Sequence, residues 1–298
     1  MSDPVLDPAT FRFSDADRLA DIDPVDTGPF ASEDEAREVM EDEAKRLARR
    51  QLILEAHGTH GLLVLFQGMD ASGKDEAIHH VMSVVDPTAC SARAFSQMNE
   101  EEARHDYLWR AMRAVPARGK MAVFNRSYYE QVVAERVSPD LMDGQHLPDA
   151  IREAARDGSL WPQRYRQIRD VERYLVENGI HLVKLFLHVS NEEQRRRLIE
   201  RTERPEKRWD FSRADVEKRD DWDAFQDAYG NALRATSTDA APWYVLPADH
   251  KWFARAAAAT IISDTLHRLH ADFPEPDDEL AETLAWARDE LEAQGDDA

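Results

Sequence analysis

The stretch from Leu62 to Lys74 reads LLVLFQGMDASGK, and it decides the fold. Its first six residues, five of them apolar, predict a buried strand, and two glycines then bracket four residues before Lys74. Glycines at this spacing let successive backbone N–H groups face one concavity, and a helix starting there adds the positive end of its dipole. The helical pattern from Ala77 to Met82 completes the strand–loop–helix context of a phosphate-binding loop (P-loop).

This loop departs from the usual pattern at its last position, where Asp75 replaces the Ser or Thr whose hydroxyl binds Mg²⁺. The metal must then be held elsewhere, and Asp70 is the candidate. We expect Lys74 to reach the β- and γ-type phosphates. The residues predicted to bind phosphate here are Gly68, Met69, Ala71, Ser72, Gly73, Lys74 and Asp75. An ordinary turn is the alternative, because a Gly-x4-Gly-Lys string also arises by chance.

Length and cysteine content set broad limits on the protein. A chain of 298 residues can bury a sizeable core as one large domain with extensions or as two small domains. The single cysteine, Cys90, excludes an internal disulfide and fits a reducing compartment. The acidic N-terminus lacks the apolar core of a signal peptide, and no apolar stretch approaches membrane-spanning length. We therefore expect a cytoplasmic protein with no membrane partner.

The charge balance limits the partners. The net charge is −21, from 59 acidic and 38 basic residues, and this charge would repel nucleic acid at long range. A polyanionic substrate needs a local basic track instead. The segment from Arg195 to Arg219 provides one, with eight Arg and two Lys against six acidic residues.

Short apolar runs alternate with helical segments beyond Gly61, which predicts an α/β fold with a parallel sheet covered on both faces. The predicted strands are 62–67, 89–95, 121–124, 181–189 and 243–247. The predicted helices are 73–84, 99–114, 127–137, 163–178, 191–203 and 213–235. Residues 1 to 30 are predicted as an extended arm, 32–56 as a helix, and the tail after Pro274 as an acidic amphipathic helix for packing or self-association.

A second motif consists of Asn125 and Arg126, which directly follow the predicted strand 121–124. In P-loop enzymes the strand beside the loop strand ends in an acid that holds the metal or its water, and Asn125 offers a neutral oxygen at that position. Arg126 could clamp a phosphate with two parallel hydrogen bonds. Alone, this pattern is more often a helix cap with a solvated arginine. Beside a P-loop it favours a metal and phosphate site.

A third motif is the basic segment from Arg201 to Ser212, RTERPEKRWDFS, in which Pro205 ends the preceding helix. A mobile basic segment here could close over the transferred phosphates, exclude water and neutralise charge in the transition state. Its predicted phosphate-binding residues are Arg201, Arg204, Lys207 and Arg208. A solvated pair of helices laced by salt bridges fits the composition equally well.

Taken together, these segments closely resemble the family-2 polyphosphate kinases. The resemblance covers roughly residues 34 to 270, and five motifs carry it: GMDASGKD at 68–75, HDYLWR at 105–110, FNRSYYE at 124–130, RPEKRW at 204–209 and PADHKWFAR at 247–255. The sequence is most similar to the branch that accepts both nucleoside mono- and diphosphates. The family usually has a basic residue after Phe95, whereas this chain has Ser96, which leaves the acceptor preference open.

The resemblance implies a three-layer α/β/α P-loop kinase fold, related to thymidylate kinase, with a helical lid and assembly as a homodimer or homotetramer. It implies an arm and helix at 1–55, a P-loop kinase core at 56–272 with the lid at about 201–225, and an acidic helix at 273–298. The implied reaction is reversible in-line transfer of a phosphoryl group between inorganic polyphosphate and a purine nucleotide, AMP/ADP or GMP/GDP.

The same resemblance assigns roles to residues. Asp70, Lys74, Asn125 and Arg126 would be catalytic, with Mg²⁺, or Mn²⁺, bound by Asp70 and Asn125. Arg201 and Lys207 would come down from the lid, and Arg110 and Glu130 would help to place the nucleotide. Two rival functions stay open: an ATP-dependent nucleoside monophosphate kinase, and a regulator that binds polyphosphate or nucleotide without turnover.

Overall fold

A six-stranded sheet, in the order β1-β6-β5-β2-β4-β3, forms the centre of the protein. The computed structural model describes residues 6–209 and 211–296, and the side chain of Lys207 lies outside that description. The strands are β1 (Arg12–Phe13), β2 (Gly61–Gly68), β3 (Cys90–Ala94), β4 (Met121–Asn125), β5 (Ile180–His188) and β6 (Trp243–Pro247). Strands β2 to β6 are parallel, and β1 is antiparallel to β6. The predicted α/β fold is confirmed.

Helices cover both faces of the sheet. Their bounds are α1 (Glu33–His57), α2 (Lys74–Met82), α3 (Trp109–Met112), α4 (Ala134–Val137), α5 (Asp149–Asp157), α6 (Leu160–Glu177), α7 (Asn191–Glu203), α8 (Pro205–Arg208), α9 (Arg213–Glu217), α10 (Trp222–Thr236), α11 (Lys251–Leu269) and α12 (Asp278–Asp296). No described helix is both long and apolar enough to cross a membrane.

The alternation of side chains along β2 divides the interior into two cores. Leu63 and Leu65 pack into the core that α6 and α10 cover. Leu62, Val64 and Phe66 pack into the core that α1, α2 and α11 cover. Successive strand residues point to opposite faces, so a strand buried on both sides must be apolar throughout. This arrangement explains the continuous apolar run that precedes the P-loop.

Two predicted helices, 99–114 and 127–137, are wrong as continuous helices. The first contains a 3₁₀ turn at Glu102–Arg104 and the short α3. The side chains of Asn99 and Asp106 accept hydrogen bonds from nearby backbone N–H groups, and each thereby begins a new turn in place of a continuous helix. The second contains a 3₁₀ turn at Tyr128–Gln131 and then the short α4. The adjacent β-branched residues Val132 and Val133 separate the two pieces. The predicted helix 213–235 is likewise divided into α9 and α10.

Among the described strands and α-helices, the sequence analysis missed β1, α5, α8 and α11. The strand β1 is only two residues long, yet it adds Phe13, 1% exposed, to the core beside β6. The helix α11 buries an alanine-rich segment against both α1 and the sheet. A helix buried around most of its circumference has no polar face, and therefore no amphipathic period marks it in the sequence.

Candidate active site

The P-loop connects β2 to α2 through a backbone that only glycine tolerates at its first position. Gly68 has φ +149°, and a Cβ there would lie 2.7 Å from the backbone oxygen of Leu187 and 2.8 Å from Ser72 Oγ. Gly73 has φ +100° and forms the N-cap of α2. The two bracketing glycines are thus required by sterics at one end and by a left-handed backbone at the other.

Lys74 is buried and its ammonium lies inside the loop. Its Nζ donates to the backbone oxygens of Gly68 at 2.9 Å and Met69 at 2.8 Å, and to Ser72 Oγ at 3.3 Å. Burial, reinforced by the nearby Arg126 guanidinium, lowers the pKa of Lys74 from 10.5 to about 8. The loop therefore holds a fixed cation that is close to losing its charge.

Asp70 contacts two cations other than Lys74. Its Oδ1 accepts from Arg126 Nη2 at 2.6 Å, and its Oδ2 accepts from Lys218 Nζ at 3.2 Å. Burial opposes ionisation of Asp70, but Arg126, Lys74 and Lys218 together hold its pKa well below the usual range. Asp70 is consequently a permanently charged carboxylate at neutral pH.

Asn125 comes next to the loop because β4 lies beside β2, with Phe66 paired to Asn125. Parallel strands end at the same edge of a sheet, so side chains after neighbouring strands converge there. The Nδ2 of Asn125 donates to Asp75 Oδ1 at 2.6 Å. The two departures from the usual motifs, Asp75 and Asn125, are therefore partners of each other.

The lid residues predicted to bind phosphate differ in position. Arg201 lines a recess beside the P-loop together with Lys251, whereas Arg204 pairs with Glu200 at 2.8 Å and Arg208 is exposed on α8. The side chain of Lys207 lies outside the described residues. The outer face of α7 fits the alternative of a salt-bridged helix, since Arg195 and Arg196 each pair with a glutamate three residues earlier.

Arg197, the third arginine in that row, is a site residue that the sequence analysis missed. It is 5% exposed, and its Nη1 donates to the backbone oxygens of Ala71 at 3.1 Å and Ser72 at 2.9 Å. Its Nη2 donates to the backbone oxygens of Ala248 and Asp249 at 2.6 and 3.0 Å. One guanidinium thus joins the P-loop to the start of α11. Because three arginines are consecutive here, the sequence does not indicate which of them turns inward.

Three other contacts in and around the loop were also missed. Lys251 donates to Glu76 Oε1 at 3.0 Å on α2. Gln194 Nε2 donates to the backbone oxygen of Asp70 at 2.9 Å, and Arg219 in turn donates to Gln194 Oε1. Lys251 lies in the motif 247–255 and could have been found from it, but nothing in the sequence singles out Gln194.

A cavity of about 410 Å³ opens on the side of the loop where Met69 and Asp70 lie. Both residues predicted to place the nucleotide line it. Arg110 is 6% exposed and donates to the backbone oxygen of Ser96 at 2.7 Å, with its guanidinium carbon 5.3 Å from the centre of the Phe95 ring. Glu130 accepts from Gln67 Nε2 at 2.9 Å. The size and mixed polarity of this cavity suit a small organic molecule that carries charge.

The geometry above agrees with comparisons to known proteins. The profile of the family described as Polyphosphate kinase 2 (PPK2) matches residues 30–274. The chain belongs to the polyphosphate kinase 2 family. It is 40% identical to the ADP-polyphosphate phosphotransferase of Rhodopseudomonas palustris over 269 residues, covering 90% of this chain and 92% of the relative. It is also 40% identical to the AMP/ADP-polyphosphate phosphotransferase of Meiothermus ruber over 260 residues, covering 87% of this chain and 92% of that one.

A solved family member has the same fold. The crystal structure of polyphosphate kinase 2 from Arthrobacter aurescens superimposes with a TM-score of 0.84 at 36% identity, covering 95% of this chain and 97% of that one. The predicted family and the three-layer fold are therefore confirmed. The role of each site residue stays a prediction, as do the boundaries at residues 55 and 272.

Proposed function

We propose that this protein transfers a terminal phosphoryl group, reversibly, between inorganic polyphosphate and a nucleotide, AMP/ADP or GMP/GDP. Membership of the polyphosphate kinase 2 family makes it a phosphotransferase. The names of its relatives, which include ADP-, AMP/ADP- and GDP-polyphosphate phosphotransferases, support the substrate pair. The same proposal includes a cytoplasmic location and a homodimer or homotetramer.

The observation that carries the proposal is the position of the P-loop between two differently lined spaces. On one side, Arg197, Arg201 and Lys251 line a recess along Ala71–Glu76, which suits a chain of phosphates. On the other side lies the cavity that Arg110 and Glu130 line, which suits a nucleotide. The P-loop would then hold the transferred group where the two substrates meet.

Phosphoryl transfer requires positioning and charge neutralisation more than covalent chemistry from the protein. Lys74 and the loop N–H groups would hold the transferred phosphate. Arg126, fixed by Asp70, would neutralise oxygens as charge develops, since its two-pronged guanidinium matches a phosphate. A lid that excludes water would favour transfer to the nucleotide over hydrolysis.

We propose Mg²⁺ as the cofactor, with Mn²⁺ as a substitute. The donors present fit it: the carboxylate of Asp70, the carboxylate of Asp75 and the amide oxygen of Asn125 are hard oxygen ligands. Within the described chain, no group of three or more His, Cys, Asp or Glu side chains is arranged to hold a metal. This suits Mg²⁺, which is bound by one or two carboxylates together with substrate phosphates and water. When bound, it would supply neutralisation of phosphate charge.

The test is product formation from purified protein with Mg²⁺, long-chain polyphosphate and AMP, ADP, GMP or GDP supplied singly, without added ATP. We expect ADP and ATP from AMP. Lys74→Ala should abolish turnover, and Lys120→Ala is the matched control because Lys120 pairs with Glu55, away from the loop. No product from polyphosphate, but ADP from ATP plus AMP, would identify a monophosphate kinase. Binding of polyphosphate without any product would identify a regulator.

A further inference from the structure

The contact between Lys218 and Asp70 lies where the metal of the proposed function would bind. Lys218 follows α9 in the lid, and its Nζ is 3.2 Å from Asp70 Oδ2. The other oxygen, Oδ1, is held by Arg126 at 2.6 Å. Both oxygens of the candidate metal ligand are thus engaged by protein cations. Lys218 makes the more accessible of the two contacts, because its side chain is 46% exposed whereas that of Arg126 is 36% exposed.

The helix α9 lies at the surface of the protein. None of its five residues is buried, so apolar packing does not hold it. Polar side chains link this region to the core through Lys218 and the adjacent Arg219. Arg219 donates to Asn191 Oδ1 at 2.6 Å and to Gln194, and thereby anchors the C-terminal end of α9 to α7. Lys218, at the same end of α9, contacts the P-loop directly through Asp70.

The position of α9 shapes the cavity of about 410 Å³ that Arg110 and Glu130 line. Ala214, Asp215 and Lys218 form part of the wall of the cavity, which Arg110 and Gln145 also line. Moving α9 would therefore widen the space into which the nucleotide must enter. The lid contact and the metal ligand are joined through one carboxylate, Asp70.

We propose that Lys218 is an internal cation that occupies Asp70 until Mg²⁺ displaces it, and that this exchange frees α9 to pivot about Arg219. The proposal rests on the assignment of Asp70 as a metal ligand in the proposed function. A divalent ion competes with one ammonium for a carboxylate, so Lys218 weakens metal binding in the substrate-free protein. The displaced ammonium then lies in the lid at the edge of the cavity, where it can meet an incoming phosphate.

The first test measures binding of Mn²⁺ alone to the substrate-free full chain by electron paramagnetic resonance. We expect Lys218→Met to tighten binding by up to about fivefold, the upper end of what a partly exposed ion pair contributes. Arg213→Met is the matched control. It removes one positive charge from the same helix, but Arg213 is 90% exposed and pairs with Glu217 instead of the site. Equal binding by Lys218→Met and the parent, or an equal gain in Arg213→Met, would overturn the proposal.

The second test measures amide hydrogen exchange over residues 213–217. We expect faster exchange in Lys218→Met, and in the parent protein after metal is added, because both release the contact. Asp70→Asn separates the two levels of inference. If Asp70→Asn binds metal as well as the parent does, the assignment of Asp70 as a metal ligand fails, and the proposed role of Lys218 fails with it. If Asp70→Asn loses metal binding while Lys218→Met shows neither tighter metal binding nor faster exchange, only the proposed role of Lys218 is wrong.

Discussion

At the scale of the residue, Lys74 is buried and its charge is easily lost. Its pKa is lowered to about 8 by burial and by Arg126. Above that pH the free enzyme carries a neutral amine in the loop. We expect kcat/KM for polyphosphate to fall as the pH rises through about 8, while kcat stays constant to higher pH because bound phosphates stabilise the ammonium. Initial rates across this range test it, and a constant kcat/KM would contradict it.

The lowered pKa of Lys74 also makes the stability of the protein depend on pH. A surface lysine whose pKa is raised by a partner loses its contribution to stability as the pH rises, whereas Lys74 has the opposite effect. Between pH 8 and 10.5 the unfolded chain binds a proton at Lys74 that the folded chain has lost. The contribution of Lys74 to the free energy of unfolding therefore rises with pH across this window. Comparing urea unfolding of Lys74→Met with that of the parent at both ends of the window measures this contribution. A free energy of unfolding of the parent that falls with pH relative to that of Lys74→Met would contradict this prediction.

Asn125 and Asp75 form the second pair to test at this scale. Asn125→Asp would place two carboxylates in contact where the amide now donates at 2.6 Å. We expect a loss of about 1 kcal/mol in the free energy of unfolding without metal. Millimolar Mg²⁺ should restore stability and the Mg²⁺ optimum should shift, because the paired carboxylates form a stronger cation site.

The exchange variant Asn125→Asp with Asp75→Asn is the control for this prediction. It keeps the hydrogen bond and the total charge, so it should keep the parent stability without metal. An unchanged Mg²⁺ dependence in Asn125→Asp would remove Asn125 from the metal site. Thermal melts at fixed ionic strength, with and without Mg²⁺, provide the readout.

At the scale of the element, Arg197 makes α7 a support for the P-loop. Its side chain is 3% exposed and also pairs with Glu193 at 2.7 Å. We expect Arg197→Met to lower the free energy of unfolding by about 3–5 kcal/mol, the cost of breaking a buried charge pair. Four backbone oxygens would lose their donor, two of them in the loop.

The neighbouring Arg196→Met is the matched control for Arg197→Met. Arg196 pairs with the same Glu193, but its side chain is 59% exposed, and its removal should change stability little. Urea unfolding of both variants decides the point. Similar losses in the two variants would mean that the contacts of Arg197 with the loop carry no special weight.

At the scale of the whole molecule, a buried polar network lies behind the site and joins elements distant in the chain. Lys184 on β5 is fully buried and donates to Glu172 on α6 at 2.7 Å. It also donates to Tyr129 at 3.1 Å and to the backbone oxygen of Thr236 at 2.8 Å. Tyr128 donates to the same Glu172 at 2.8 Å. These contacts tie the turn that carries Glu130 to both α6 and α10.

We expect Lys184→Met to lower the free energy of unfolding by about 3–5 kcal/mol, because it leaves the charge of Glu172 buried without a partner. Adding Glu172→Gln should recover much of the loss, since glutamine still accepts from the tyrosine hydroxyls and carries no charge. A double-mutant cycle in urea measures the coupling. Additive losses would show that the two groups do not act as a pair.

The local pattern determined the strands, the P-loop and the family of this protein. A strand buried on both faces must be apolar, and a loop that wraps phosphate must contain glycine at set positions, so both leave marks in consecutive residues. The segments 62–67 and 121–124 were predicted nearly to their observed ends at Gly68 and Asn125 for that reason. The placement of Arg126 beside the P-loop also followed from the P-loop pattern, in which the strand next to the loop strand ends in polar residues.

Contacts between distant segments were decided by the tertiary structure alone. The inward turn of Arg197, the link from Gln194 to Asp70 and the pairing of Lys218 with Asp70 each depend on which side of a helix faces the loop once the sheet is formed. The same holds for α11, whose burial on most sides removes the polar stripe that marks a helix in sequence. Sequence patterns record what neighbouring residues require of each other, whereas these features arise from packing between residues far apart in the chain.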